Sequence, residues 1–173
     1  MEASLSYRLM KPGEESAACA LVTRVFMEFV APGYTEDGVE EFLAYADPNL
    51  LLERSDSNHL VLVAEVLHEI VGVIEVRGYS HISLLFVDSR YHRIGIAGEL
   101  LRRAVQIGLA HKPGLLEMSV NSSPYAEPIY GKLGFRVTEP EQTVRGIRFV
   151  PMVLEVTRLR LGAADGNDRC LGD

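Results

Sequence analysis

Cysteine is scarce, with two residues, Cys19 and Cys170, in a chain of 173. Two cysteines make no disulfide framework, and the default setting for such a chain is a reduced cytosol. Cys19 reads as a helix-face residue and Cys170 falls in a polar tail. No cysteine–histidine cluster has metal-ligand spacing, so no metal is implied. Long apolar runs are missing too: none approaches the roughly 20 residues that span a bilayer. The opening stretch, MEASLSYRLMK, has neither the basic region nor the apolar core of a secretory signal. These absences set the expectation of a cytoplasmic protein with no membrane partner. An excess of positive charge is also lacking. The net charge is −7, and it arises entirely within residues 1–58, which hold 4 Lys/Arg against 11 Asp/Glu. That balance argues against a nucleic-acid binder. It fits a cationic partner near the N-terminal segment, and equally a helical surface kept soluble by its acids.

What is present suits a folded domain. Hydrophobic content is 47% and charged content 24%, close to the globular average. The length suits one domain with a sizeable core, expected over residues 1–161, followed by a mobile tail at 162–173, GAADGNDRCLGD.

Element signals alternate along the chain. Leu5 to Met10 reads as a strand, and Glu14 to about Val30 as a helix stopped by Pro32-Gly33. Thr35 is an N-cap for a second helix running to about Ala46, and residues 47–58 read as a polar connection. His59 to Val66 and Ile70 to Arg77 form a hairpin signature around Leu67-His68-Glu69, with Gly72 marking a bulge or a close backbone approach. Ile82 to Val87 follows as a third, apolar strand. A helix from Gly95 ends near His111, where Lys112-Pro113-Gly114 breaks it. Leu115 to Val120 is the next strand and Asn121 to Pro124 a loop. Ala126 to Leu133 is a short helix with Gly134 as its left-handed cap. Phe135 to Thr138 and Ile147 to Val156 are final strands around a polar loop at 139–146. The expected architecture is α/β, with about seven strands in one mixed, mostly antiparallel sheet and about four flanking helices.

The most informative stretch is Ile82 to Arg103. A buried strand breaks at Asp88-Ser89-Arg90, crosses a basic turn, and enters a helix through Gly95-Ile96-Ala97-Gly98. The first N–H groups of a helix have no internal partner and carry partial positive charge, so such a turn suits phosphate. A dinucleotide-binding reading fails, because the full Gly-x-Gly-x-x-Gly spacing is absent.

Two motifs then resemble the GCN5-related N-acetyltransferase superfamily, over about residues 5–157. The acetyl-CoA signature Gln/Arg-x-x-Gly-x-Gly/Ala is matched by His92-Arg93-Ile94-Gly95-Ile96-Ala97, with His92 in place of Gln or Arg. The segment Tyr130-Gly131-Lys132-Leu133-Gly134-Phe135 is similar to the family's Tyr-x-x-Leu-Gly-Phe. The resemblance implies acetyl-CoA as cosubstrate, with no metal. Its pyrophosphate would meet the main-chain N–H groups of Arg93, Ile94, Gly95, Ile96, Ala97 and Gly98. Its pantetheine arm would lie along Leu85, Phe86 and Val87, where that strand splays from a parallel neighbour, with Asn121 bonding the arm. His92 bears on affinity or pH dependence. Arg102 and Arg103 read either as adenosine contacts or as a solvated helix face.

The resemblance also places Tyr130 beside the sulfur. A phenol of pKa about 10 is protonated at neutral pH and can give its proton to a leaving thiolate. The oxyanion would meet a main-chain N–H near Phe86 or Val87. His81 occupies the position of a catalytic glutamate in histone-acetylating members, and a histidine titrates in the range a general base needs. Glu75, one strand earlier, is the rival, with a solvated strand face as its alternative. The acceptor, a small-molecule or peptide amine, would sit between residues 28–38 and 139–146. There Glu28, Glu36, Asp37, Tyr34 and Glu139 would favour a cation. The function implied is N-acetyl transfer to a primary amine by a monomer or homodimer. A non-catalytic CoA-binding module is the alternative.

Overall fold

In the computed structural model, which describes residues 4–157, the strands are β1 (Leu5–Leu9), β2 (His59–Val66), β3 (Glu69–Arg77), β4 (His81–Val87), β5 (Glu117–Ser122), β6 (Arg136–Val137), β7 (Gln142–Val144) and β8 (Ile147–Glu155). The helices are α1 (Glu15–Phe29), α2 (Glu36–Tyr45), α3 (Pro48–Ser55), α4 (Ile96–His111) and α5 (Glu127–Lys132). The tail expected at 162–173 lies outside the described residues.

Alternation along β2 explains the layers. Leu60, Leu62 and Ala64 pack with Leu100, Leu101 and Ala104 of α4. Val61 and Val63 pack on the opposite face with Leu21, Val22 and Val25 of α1 and Leu51 of α3. Successive side chains of a strand point to opposite faces, so an unbroken apolar run is what a sheet covered on both sides requires. The strand order is β1-β2-β3-β4-β5-β8-β6, with β7 paired to β8 off that path. Every pairing is antiparallel except that of β4 with β5.

Gly72 serves both roles anticipated for it. The β2–β3 register shifts beside it, and a Cβ there would lie 3.0 Å from Ile96 and 3.2 Å from Leu100. Its lack of a side chain lets the first turn of α4 sit directly on the sheet, next to the end of β4. Thr35 caps α2, accepting from the Gly38 N–H at 3.2 Å, and Gly134 is left-handed at φ +100°.

The expected mixed, mostly antiparallel sheet with flanking helices is present, with eight strands and five helices among the described residues against about seven and about four. Other expectations need correction. Residues 47–58 are not a plain connection, because they contain α3. Asp47 accepts from the N–H groups of Asn49 and Leu50, and Pro48 stands at the first helical position. That pair of start signals overrides the polar composition. Leu51, fully buried, anchors α3 to the core, a burial worth about 2 kcal/mol. The polar loop 139–146 contains β7, which forms a hairpin with β8. The strand expected at Leu115–Val120 starts at Glu117, because the Leu115 N–H closes a turn onto the Lys112 carbonyl. It runs on to Ser122, so Asn121 is a strand residue opposite Pro151 and not the start of a loop.

Candidate active site

The strand β4 makes the site by leaving its neighbour. It pairs in parallel with β5 at only two positions, His81 with Ser119 and Ile82 with Val120. β4 then continues to Val87, paired on its other side with β3. A second irregularity, between Glu75 and Val76 of β3, leaves Ser83 unmatched at the point where the two strands part. Into the gap opens a cleft of about 500 Å³, a volume typical of small-molecule sites.

One end of the cleft is main chain. Asp88, almost fully buried, accepts from the Arg90 N–H and is held by the guanidinium groups of Arg90 and Arg24. Those partners hold its carboxyl well below the usual carboxylate range. Arg93 and Gly95 are both left-handed, at φ +66° and +89°. Gly95 begins α4 with no side-chain cap, and the first helical bond runs from the Glu99 N–H to the Gly95 carbonyl at 3.0 Å. The N–H groups of Ile96, Ala97 and Gly98 therefore have no partner within the helix. A left-handed turn followed by free helix N–H groups makes a concave, positively polarised seat for an anion.

His92 is committed here. Its Nε2–H donates to the Val87 carbonyl at 2.7 Å, because a carbonyl can only accept, and its ring lies 5.5 Å from that of Phe29. Arg102 and Arg103 are also spent. Both bond Glu99, at 2.7 and 2.6 Å, and Arg103 lies over the Tyr7 ring. They hold down a helix face.

Of the sequence-predicted residues, Leu85, Phe86, Val87, His92, Arg93, Gly95, Ile96, Ala97, Gly98, Asn121 and Tyr130 all line the cleft. Ile94 is exposed in the turn and does not line it. Tyr130, from α5, is buried, packs edge-on against Phe135, and is pushed well above the ordinary phenol pKa by that burial. It stays protonated throughout the physiological range.

His81 stands apart, at the start of β4, and is not among the lining residues. Its Nδ1 lies 2.9 Å from the Ser119 hydroxyl, which itself donates to the Ser80 carbonyl at 3.4 Å. In the tautomer whose Nδ1–H donates to that hydroxyl, Nε2 keeps a free lone pair. Burial, and secondarily Arg77, push its pKa below the usual histidine value, so the ring is neutral at pH 7. Glu75 is not on a solvated face. It is fully buried among Arg54 (2.7 Å), His59 (2.7 Å) and the Tyr45 hydroxyl (3.4 Å).

The rest of the cleft is aromatic, beginning with Phe29 beside His92, and sequence reasoning largely missed it. Phe29 of α1, Tyr34, Phe42 of α2 and Phe86 of β4 form one wall, and Tyr125 comes from the segment before α5. Phe42 stacks on Phe26 at 3.8 Å and meets Phe86 edge-on, while Phe29 stacks on Tyr125 at 5.2 Å. The signal was present only as apolar periodicity in two helices, which reads as core. The expected acids lie elsewhere. Glu28, Glu36, Asp37 and Glu139 are exposed, and among the described residues no carboxylate lines the cleft.

The wall is fixed by a glycine contact. A Cβ on Gly38, in the first turn of α2, would fall 2.1 Å from the Gly146 carbonyl oxygen in the β7–β8 turn. Arg145 pairs with Glu41, and Arg148 donates to the Gly33 carbonyl, closing the same junction.

The comparisons with known proteins agree with this geometry. The family model described as an acetyltransferase (GNAT) domain matches residues 30–156. An uncharacterized N-acetyltransferase of Escherichia coli, YafP, is 25% identical over 139 residues, covering 80% of this chain and 86% of that protein. The PaiA N-acetyltransferase of Thermoplasma acidophilum, solved in complex with coenzyme A, superposes with a TM-score of 0.73 at 20% identity, over 88% of this chain and 99% of the other. A Vibrio cholerae spermidine N-acetyltransferase chimera gives 0.62 at 15% identity, over 90% and 98%. With a cleft opened by strand divergence, a free helix N-terminus at one end and a family model covering most of the chain, this protein belongs to the GNAT acetyltransferase family and is an N-acetyltransferase.

Proposed function

We propose that the chain moves an acetyl group from acetyl-CoA to the primary amine of a small molecule or peptide, by direct attack of the amine on the thioester. The observation that carries this reading is the two-residue β4–β5 pairing that opens onto the uncapped start of α4. The left-handed turn at Arg93 and Gly95, with the N–H groups of Ile96, Ala97 and Gly98, suits a pyrophosphate. Leu85, Phe86 and Val87 line the opened strand, and Asn121 faces the cleft from β5. The residues present therefore fit the group, which supplies an activated acyl carbon.

The chain's own residues handle the protons. The alkylammonium loses one proton to become a neutral nucleophile and a second as its nitrogen bonds the acyl carbon; the departing sulfur takes one up as the C–S bond breaks, and the other leaves to solvent. Tyr130 is the donor to sulfur, its hydroxyl kept protonated by burial. A main-chain N–H of Phe86 or Val87 meets the carbonyl oxygen. His81 is the base, with a neutral ring and a free Nε2; its distance from the cleft lining requires a water or the hydroxyl of Ser83 between them. An alkyl ammonium of pKa about 10.4 is only about one part in two thousand neutral at pH 7, so this step has a large influence on rate.

Calorimetric titration with acetyl-CoA, followed by thiol release in an amine screen, tests the reading. Micromolar or tighter binding is expected, and Tyr130→Phe should lower kcat at least tenfold while leaving the acetyl-CoA Kd unchanged. Absence of acetyl-CoA binding would overturn the proposal.

A further inference from the structure

Beyond the main-chain turn, the wall of the cleft that begins at Phe29 beside His92 carries more rings than charges. Phe29, Phe42, Phe86 and Tyr34 come from α1, α2, β4 and the 3₁₀ turn Ala31–Gly33 with its flank, and Tyr125 faces them from the segment before α5. Phe42 cannot swing away, because it is stacked on the fully buried Phe26. Burial pushes the Tyr34 phenol up to about 12, so it too is a neutral hydroxyl. The charged residues that line the cleft, Arg93 and Lys132, are cationic, and no carboxylate of the described residues faces it. The nearby acids are exposed on outer surfaces, and Glu41, Glu139 and Glu141 are engaged by Arg145, Gln142 and Arg148.

This decides between classes of amine. A polyamine or a basic peptide brings two or more ammonium groups. Each beyond the reacting one would need a carboxylate partner or its full shell of water, and a buried unpaired charge is prohibitively costly. A single ammonium is a different case. Aromatic faces attract it before it loses its proton, and rings held at fixed angles favour another ring by stacking or edge contact.

Resting on the acetyl-transfer reading above, we infer that the acceptor is a monoamine whose nitrogen is carried on a short chain from an aromatic body, an arylalkylamine, and that polycationic amines are discriminated against. The ring inserts among Phe29, Phe42 and Phe86, and its one nitrogen points along β4 toward the acyl carbon.

The test compares kcat/KM for 2-phenylethylamine and spermidine by thiol release, with acetyl-CoA affinity measured in parallel by calorimetry. The expected result is at least a tenfold preference for 2-phenylethylamine. Equal or better use of spermidine, or turnover of neither amine by protein that binds acetyl-CoA, overturns the inference and leaves the cofactor assignment standing. Failure to bind acetyl-CoA removes both. Phe29→Glu, at the half-buried end of α1, supplies the missing carboxylate. It should shift the ratio at least fivefold toward spermidine, and an unchanged ratio in a variant with native circular dichroism also overturns the inference. Should that variant fail to fold, Tyr125→Ala, at a partly exposed ring, is expected to raise the KM for 2-phenylethylamine at least threefold with the spermidine value unmoved; equal effects on both amines count against the wall.

Discussion

At one end of the cleft the walls are peptide groups, set by a left-handed turn and the uncapped start of α4; along the rest, from Phe29 beside His92 onward, they are rings delivered by α1, α2 and β4. The first end is made by about ten consecutive residues. The second assembles Phe29, Tyr34, Phe42 and Phe86, which span almost sixty positions of the chain. A backbone site tolerates changes of side chain, and so His92 can stand where the family signature has Gln or Arg. A side-chain site has no such tolerance, because its chemistry is its composition. The difference explains how a family can keep one cosubstrate while its acceptors vary.

Breaking the support under the aromatic end should produce the largest effect. Arg54→Met leaves Glu75 fully buried without its guanidinium partner and should cost about 3–5 kcal/mol in urea unfolding. A loss under 1 kcal/mol would mean that His59 and Tyr45 alone satisfy the carboxylate. Gly38→Ala comes next. Its new methyl must displace the Gly146 carbonyl, at about 1–3 kcal/mol, and the shift of α2 should raise the KM for the amine while the acetyl-CoA Kd stays within twofold. An equal change in both constants would join the two ends that the comparison separates.

The converse perturbation is Gly95→Ala. No protein atom lies within 4 Å of the added Cβ, so packing is untouched, but φ +89° is strained for alanine by roughly 1–2 kcal/mol. Isothermal titration should show acetyl-CoA binding weakened about 5- to 30-fold, with the ranking of amines unchanged. The smallest effect concerns His81. Its folded pKa is depressed below the ordinary 6.5, so the unfolded chain binds the proton more tightly. Its contribution to stability is therefore present above pH 6.5 and lost as the pH falls below it. His81→Gln should flatten the fall in Tm between pH 7 and pH 5 by a few degrees and remove the acid limb of kcat/KM. A pH–rate profile identical to that of the parent chain would exclude His81 as the base.

The order of elements, the strand–turn–helix and the Tyr130 segment were legible because each depends on neighbours within a dozen residues. Even the missed α3 had its signal in Asp47-Pro48, outweighed by the polar residues after it. Other features left no local trace. The fate of Glu75 could not be read, since strand alternation gives only a face, and here that face is roofed by α1 and α3. The same limit applied to the acids near residue 36, whose composition pointed to a cationic acceptor although their side chains turn away from the cleft.

The sequence by itself determined the family and the strand–turn–helix from β4 into α4, because these rest on short spacings that fix backbone conformation directly. Only the tertiary structure decided which side chains line the rest of the cleft. Which side of a helix or strand lines a cavity depends on the angle at which distant elements pack, and here that angle is set by a contact between two glycines 108 positions apart, Gly38 and Gly146.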